Sequence, residues 1–261
     1  MSTKFVDLNI IDSLAFITID KEASYNALNI AVLEQLRDCM KELNQSSEVR
    51  AMILTGAGEK AFIAGADIKE MSGMSESEGM SFSELGQQVT RLFENAPFPT
   101  VAAVNGFALG GGLEMALGCD FIYCTENSVF GLPEVSLGLI PGFGGTQRLA
   151  RTVGRARAKE MIFTGRKLKA AEAKSIGLVL DIFINKEELI SFCEKSMRGS
   201  MKNSILAIKK AKKILNIGIE TDLEKGMSLE SNAFAKMFTS FDMKEGTQAF
   251  IEKRQAQFKG E

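Results

Sequence analysis

The chain has 261 residues, enough for one large domain or two small ones with a substantial core. Lys and Arg total 31 against 33 Asp and Glu, a net charge of −2, which excludes bulk attraction to nucleic acid or an anionic membrane. The absence of histidine excludes Ser-His-Asp and Cys-His nucleophiles, the common zinc sites and His-ligated haem, and leaves acid/base work to carboxylates, Lys, Tyr or Cys.

The first twenty residues lack a basic region followed by an apolar run. The most apolar segment, residues 100–118, carries Asn105, Glu114 and five glycines, a poor membrane span. A soluble, cytoplasmic protein is expected. None of the four cysteines, Cys39, Cys119, Cys124 and Cys193, forms a CxxC pair. Buried free thiols in a reducing compartment are therefore expected.

Residues 14–20 (LAFITID) read as a strand. Ile30, Leu33, Leu36, Met40 and Leu43 follow at helical spacing, with Asn29 placed to cap that helix. Strands are predicted at residues 51–55, closed by Gly56 and Gly58, and at residues 100–104, closed by Asn105 and Gly106. Between them lie a strand-like piece within residues 60–69 and the Ser/Met/Gly-rich residues 71–86, expected as a mobile loop walling a pocket. Short strands at 121–125 and 128–130 precede the Pro/Gly-rich residues 132–145. Beyond residue 150 only 178–184 reads as strand. Amphipathic helices are predicted at 155–163, 170–175, 186–198, 204–215, 223–238 and 243–257. Strands alternating with helices, then a helical last third, define an α/β protein.

Gly110, Gly111 and Gly112 stand between a strand and a helix. Neither a P-loop nor G-x-G-x-x-G can be drawn through them. They either permit tight helix–strand packing or leave backbone N–H groups bare at a helix start, suited to an oxyanion. Glu114 follows in the first turn, read either as a solvated residue favoured by the helix dipole or as an acid/base group. Glu134 lies in FGLPEV, again among apolar residues. Alone it reads as structural, but two carboxylates in such settings suit general acid/base work with separated pKa values. In residues 60–69, Ala64, Gly65 and Ala66 leave the backbone unobstructed.

Taken together, these elements resemble the crotonase (enoyl-CoA hydratase/isomerase) superfamily over nearly the whole chain. The motifs are YNALN at 25–29, ILTGAG at 53–58, AFIAGADI at 61–68, AVNGFALGGG at 103–112, FGLPE at 130–134, PGFGGTQR at 141–148 and EGTQAFIEKR at 245–254. The resemblance is nearest to bacterial short-chain members, the 3-hydroxybutyryl-CoA dehydratases. It implies a spiral of ββα units over residues 1–195 and a helical trimerisation region over 196–261, assembled as a homotrimer or homohexamer. It further implies backbone oxyanion donors at Ala64 and Gly111, with Glu114 and Glu134 holding one water beside the β-carbon of a trans-2-enoyl thioester. Glu114 would activate the water and Glu134 would supply the α-proton, giving a 3-hydroxyacyl-CoA by syn addition without metal or redox cofactor. Coenzyme A, as part of the substrate, is expected along Ala27, Leu28, Ala64, Gly65, Ala66, Asp67 and Ile68, with Gly111 and Gly142 also lining the site.

The chain departs from many hydratases at Leu132, often Gln, and in lacking a proline before residues 25–29. The superfamily also holds isomerases, dehalogenases, hydrolases and decarboxylases, most of which lack one of the two glutamates. An RNA-binding branch presents a lysine-rich helix, whereas residues 38–50 here hold Lys41 and Arg50 against Asp38, Glu42 and Glu48. Arg148, Arg151, Arg155 and Arg157 read as helix caps or a solvated face, with contacts to CoA phosphates as the functional alternative.

Overall fold

A computed structural model describes residues 3–261. The ten strands are β1 (Val6–Ile11), β2 (Leu14–Ile19), β3 (Ala51–Gly56), β4 (Ala61–Ile63), β5 (Thr100–Val104), β6 (Phe107–Leu109), β7 (Phe121–Thr125), β8 (Val129–Gly131), β9 (Leu168–Lys169) and β10 (Asp181–Phe183). The helices in chain order are α1 (Ile30–Gln45), α2 (Ile68–Met71), α3 (Glu76–Glu94), α4 (Gly111–Leu117), α5 (Gly145–Val153), α6 (Arg155–Thr164) and α7 (Ala170–Ser175). Four more follow: α8 (Lys186–Ser200), α9 (Ile205–Gly218), α10 (Leu223–Met237) and α11 (Phe241–Ile251).

Two sheets are built in parallel from successive turns of chain. The larger runs β1-β2-β3-β5-β7-β10 and the smaller β4-β6-β8-β9. The pairs β3/β4, β5/β6 and β7/β8 each give one strand to each sheet before the chain passes into a helix. This is the expected ββα spiral. The β1–β2 and β8–β9 pairings are antiparallel, and the rest are parallel. All six residues of β3 are buried, as a central strand covered on both faces requires.

The corner where β3 and β5 end is held by a buried side chain. Asn105 Nδ2 donates to Gly56 O at 3.0 Å and Gly58 O at 2.8 Å, and its Oδ1 accepts the Gly56 N–H at 3.2 Å. Asn29 caps α1 as predicted, its side chain accepting the Val32 N–H at 2.9 Å.

Several expectations change. Of residues 71–86 only 72–75 form a loop: α3 begins at Glu76 under a reciprocal capping box between Ser75 and Glu78. Phe82, Val89 and Phe93 then recur at helical spacing on its buried face, and that burial outweighs the Ser- and Gly-rich composition. The strands β1, β6 and β9 and the helices α2 and α5 have no counterpart among the expected elements. The last helix ends at Ile251 rather than 257, where Lys253 adopts a left-handed conformation and Arg254 turns back onto Glu245 at 2.6 Å. The expected division at 195/196 falls inside α8. The inner face of that helix, Leu189, Cys193 and Met197, packs against Leu14, Ile53 and Val101 of the large sheet. The core therefore continues to Ser200, and the helical region begins beyond it with α9. All four cysteines are free, but only Cys124 and Cys193 are fully buried, while Cys39 and Cys119 are half-buried.

No helix among the described residues is long and apolar enough to cross a membrane.

Candidate active site

The open ends of β4 and β6, the start of α4 and the turn after β8 converge on one cleft of about 1910 Å³. Ala64, Gly65, Ala66, Ile68, Gly110, Gly111, Glu114, Glu134 and Gly142 all line it. The two glutamates, 20 positions apart in sequence, thus share one site.

Glu114 is 2% exposed, which rules out the solvated reading. Its Oε1 accepts two backbone N–H groups, from Phe143 at 2.8 Å and Gly145 at 2.6 Å. Burial pushes its carboxyl up to about 7, the two N–H groups oppose that, and the neighbouring Glu134 charge adds to it. Glu134 opens a short 3-10 turn after Pro133, and burial raises its pKa as well. Its Oε2 is buried without a protein partner. One carboxylate is thus held by the backbone, and the other has an oxygen turned to no protein group.

Gly110, with φ +50, makes the turn into α4, and its N–H is consumed by Gly131 O at 2.9 Å. Gly111 is the first helical residue, so its N–H has no intrahelical acceptor. A Cβ at Gly112 would strike the carbonyl of Ile63, so close packing and bare donors are both reasons for the triplet.

Ala64 does not fit the donor role expected of it. Its N–H is bound to Tyr25 O at 3.0 Å. Two residues on, Ala66 pairs with Leu28 in an isolated parallel bridge, in which Leu28 N–H donates to Gly65 O at 2.8 Å and Asp67 N–H donates to Leu28 O at 2.7 Å. That register turns the N–H of Ala66 away from Leu28, and Ala66 lines the cleft. Gly65, at φ +112, makes the change of direction possible. Ala66 and Gly111 thus keep their backbone N–H groups unspent at the cleft, whereas Ala64 does not; the string AGAD alone does not say which alanine N–H is spent.

The other predicted binding residues divide. Leu28 is fully buried and half-buried Ala27 precedes it, neither lining the cleft. Asp67 pairs with Lys21 at 2.9 Å and caps α2 by accepting the Lys69 N–H, while Ile68 is 49% exposed at the cleft edge. The Gly142 carbonyl accepts from Ser83 Oγ at 2.6 Å and Gln87 Nε2 at 3.0 Å. Arg148 neither caps a helix nor faces solvent. It donates to Glu94 at 2.6 Å, to Thr90 Oγ1 and to Phe143 O, tying α5 to α3 beneath the site. Arg151 pairs with Glu220, while Arg155 and Arg157 are exposed. The missed residues are the donors on Glu114, Phe143 and Gly145, which act through their backbone and so carry no side-chain signature.

Two carboxylates, one buried and one half-buried, sharing a cleft with bare backbone N–H groups are the equipment of an acid/base enzyme working on a carbonyl compound. The chain belongs to the enoyl-CoA hydratase/isomerase family, which it matches over residues 9–261. It is 45% identical to a short-chain-enoyl-CoA hydratase of Clostridium acetobutylicum over 92% of each chain. It is 44% identical to a crotonyl-CoA hydratase of Syntrophomonas wolfei over 95% of each. Its fold is similar to the crystal structure of an enoyl-CoA hydratase from Bacillus anthracis, with a TM-score of 0.95 and 39% identity, covering 99% of this chain and 100% of that one.

Proposed function

We propose that this chain is an enoyl-CoA hydratase that adds water reversibly and syn to a short trans-2-enoyl-CoA, giving the 3-hydroxyacyl-CoA. The observation that carries the reading is the pair of carboxylates, buried Glu114 and half-buried Glu134, in the cleft that also holds Ala66 and Gly111. The names of the relatives in Clostridium and Syntrophomonas support a short acyl chain.

In this mechanism the thioester oxygen sits between the N–H groups of Ala66 and Gly111. Enolate charge builds on that oxygen as water attacks, and each donor contributes about 3 kcal/mol to the transition state. Glu114 accepts a proton from the water as its oxygen bonds to the β-carbon, and Glu134 delivers a proton to the α-carbon. Hydroxyl and hydrogen add across one double bond with no net change in electrons, so the reaction calls for neither metal nor redox cofactor. A carboxyl poised near 7 suits a proton-transferring group at neutral pH. Coenzyme A would run from the cleft along Ala64, Gly65, Ala66, Asp67 and Ile68, past Ala27 and Leu28.

The chain would act as a homotrimer or a dimer of trimers in the cytoplasm. Support for the assembly comes from the exposed Leu215, Ile219, Leu223, Phe234, Phe238 and Phe250 in the C-terminal helical region.

Crotonyl-CoA and purified protein, without metal or nicotinamide, test the reading by loss of enoyl-thioester absorbance and formation of 3-hydroxybutyryl-CoA. Glu114→Gln and Glu134→Gln should each lose at least ~100-fold in turnover while still binding acyl-CoA. Near-parental turnover in either variant removes that glutamate from the mechanism. Light scattering of the purified protein tests the trimer or hexamer.

A further inference from the structure

Two adjacent residues without glycine's freedom, Tyr25 (φ +54) and Asn26 (φ +59), take left-handed backbone. That conformation is rare for a bulky residue such as Tyr25, and it persists only where the surroundings enforce it. Tyr25 is 49% exposed, so burial of its ring does not impose the turn. Asn26 imposes it from within. It is fully buried, with Nδ2 donating to Ala57 O at 3.0 Å and Ala61 O at 2.9 Å, and Oδ1 accepting the Lys21 N–H at 3.0 Å. One amide thus ties residues 21–28 to the connection between β3 and β4.

The turn lets this loop grip residues 64–67 at four points. Tyr25 O accepts the Ala64 N–H at 3.0 Å, Leu28 N–H donates to Gly65 O at 2.8 Å, and Leu28 O accepts the Asp67 N–H at 2.7 Å. The Lys21 ammonium group holds the Asp67 carboxylate at 2.9 Å. Ala66 stands in the middle of this grip with its N–H left for the cleft. Extended backbone at 25 and 26 would carry Leu28 away from Tyr25 and release one end of it. Glycine would turn here without strain, but it carries no amide to hold the turn. We infer that Asn26 is a positioning residue for the oxyanion site: its buried amide holds the left-handed turn that spends the Ala64 N–H and aims that of Ala66 at the thioester oxygen. This rests on the hydratase reading, which puts that oxygen between Ala66 and Gly111.

The test follows the carbonyl stretch of bound butyryl-CoA, unreactive and carrying carbon-13 at the thioester carbonyl, by isotope-edited infrared spectroscopy, together with kcat on crotonyl-CoA. In the parent the band should fall in frequency on binding, because N–H donors weaken the C=O bond. Asn26→Ala should return the band part of the way to its free position and lower kcat by at least about tenfold, short of the ~100-fold or more lost with an oxyanion donor itself. Asn26→Gly removes the same three side-chain hydrogen bonds and leaves a larger void, yet accepts left-handed backbone. It should therefore lie between the parent and Asn26→Ala in both readouts. A residue that only fills space would give the reverse order, since the cost then grows with the void. That reverse order, or a parental band and kcat in folded Asn26→Ala, would overturn the inference. Should Asn26→Ala not fold, a parental band and kcat in Asn26→Gly would overturn it equally. A parent that binds butyryl-CoA with no shift of the band overturns the oxyanion site and this inference with it. A parent that shifts the band but leaves crotonyl-CoA unhydrated overturns the hydratase reading alone, and the inference then stands or falls on the band of the variants.

Discussion

Gly145 donates its N–H to Glu114 Oε1 at 2.6 Å, so the first residue of α5 holds the buried carboxylate of α4 in place. No side chain fits at that position. A Cβ on Gly145 would lie 2.8 Å from Oε1 and 3.0 Å from Leu132 Cδ1. Gly145→Ala should therefore displace the carboxylate and lower kcat by about 100-fold with little change in KM, the penalty of a misplacement near 1 Å. Steady-state kinetics on crotonyl-CoA measure it. Parental kcat would show that this contact does not position Glu114.

The buried carboxyl of Glu114 also sets a pH dependence of stability. Burial raises its pKa from the ordinary 4.5 to about 7, so between those values the folded state binds more protons than the unfolded one. Stability from this group is greatest below 4.5, falls as pH rises through the window, and is lowest above 7, by an order-of-magnitude ~3 kcal/mol. Relative to the parent, Glu114→Gln should gain stability from pH 4 to pH 8. Urea unfolding of both proteins at several pH values checks the sign, and a constant difference would mean that the carboxyl titrates normally.

Lys212 fastens the helical region to the core. Its ammonium group, on a side chain only 9% exposed, donates to Phe93 O at 3.2 Å, Phe98 O at 3.1 Å and Asp120 at 2.8 Å. Lys212→Met strands two carbonyls and a carboxylate and should cost ~3 kcal/mol, lowering Tm by roughly 6–12 °C. Asp120→Asn, alone and combined with Lys212→Met, completes a double-mutant cycle in thermal unfolding. Additive losses would mean the pair does not couple.

The thiols should be unreactive in the folded state. Burial pushes Cys39 up to about 11 and Cys119, Cys124 and Cys193 to about 12. Alkylation at pH 7.5 should be slower than in the unfolded chain by more than roughly 100-fold, because the thiolate is the nucleophile. Fast labelling of any one cysteine would identify a thiol whose surroundings differ from those described here.

What was legible in the sequence rested on local chemistry. Periodicity located α1 and the C-terminal helices, β-branched runs located β2, β3, β5 and β7, and the order of the glycine and glutamate motifs identified the family before any fold was known. Residues 76–94 were obscured because Ser and Gly dominate their composition, although the Ser75–Glu78 box and the spacing of Phe82, Val89 and Phe93 carried the helix signal. β6 and β9 are too short for any pattern to emerge from three and two residues.

The tertiary structure decided the rest. Whether Glu114 faced water or the interior depended on which helix covered α4. Whether Ala64 or Ala66 offered a free N–H depended on Tyr25 and Leu28, some forty positions away. Arg148 became a clamp because Glu94 and Thr90 lie across from it on α3. By itself the sequence determined which chemical groups exist and the rhythm in which strands and helices alternate, since propensity and spacing act over a few residues. Which donors are spent and which carboxylate is desolvated were settled by contacts between segments distant in the chain, which no local pattern records.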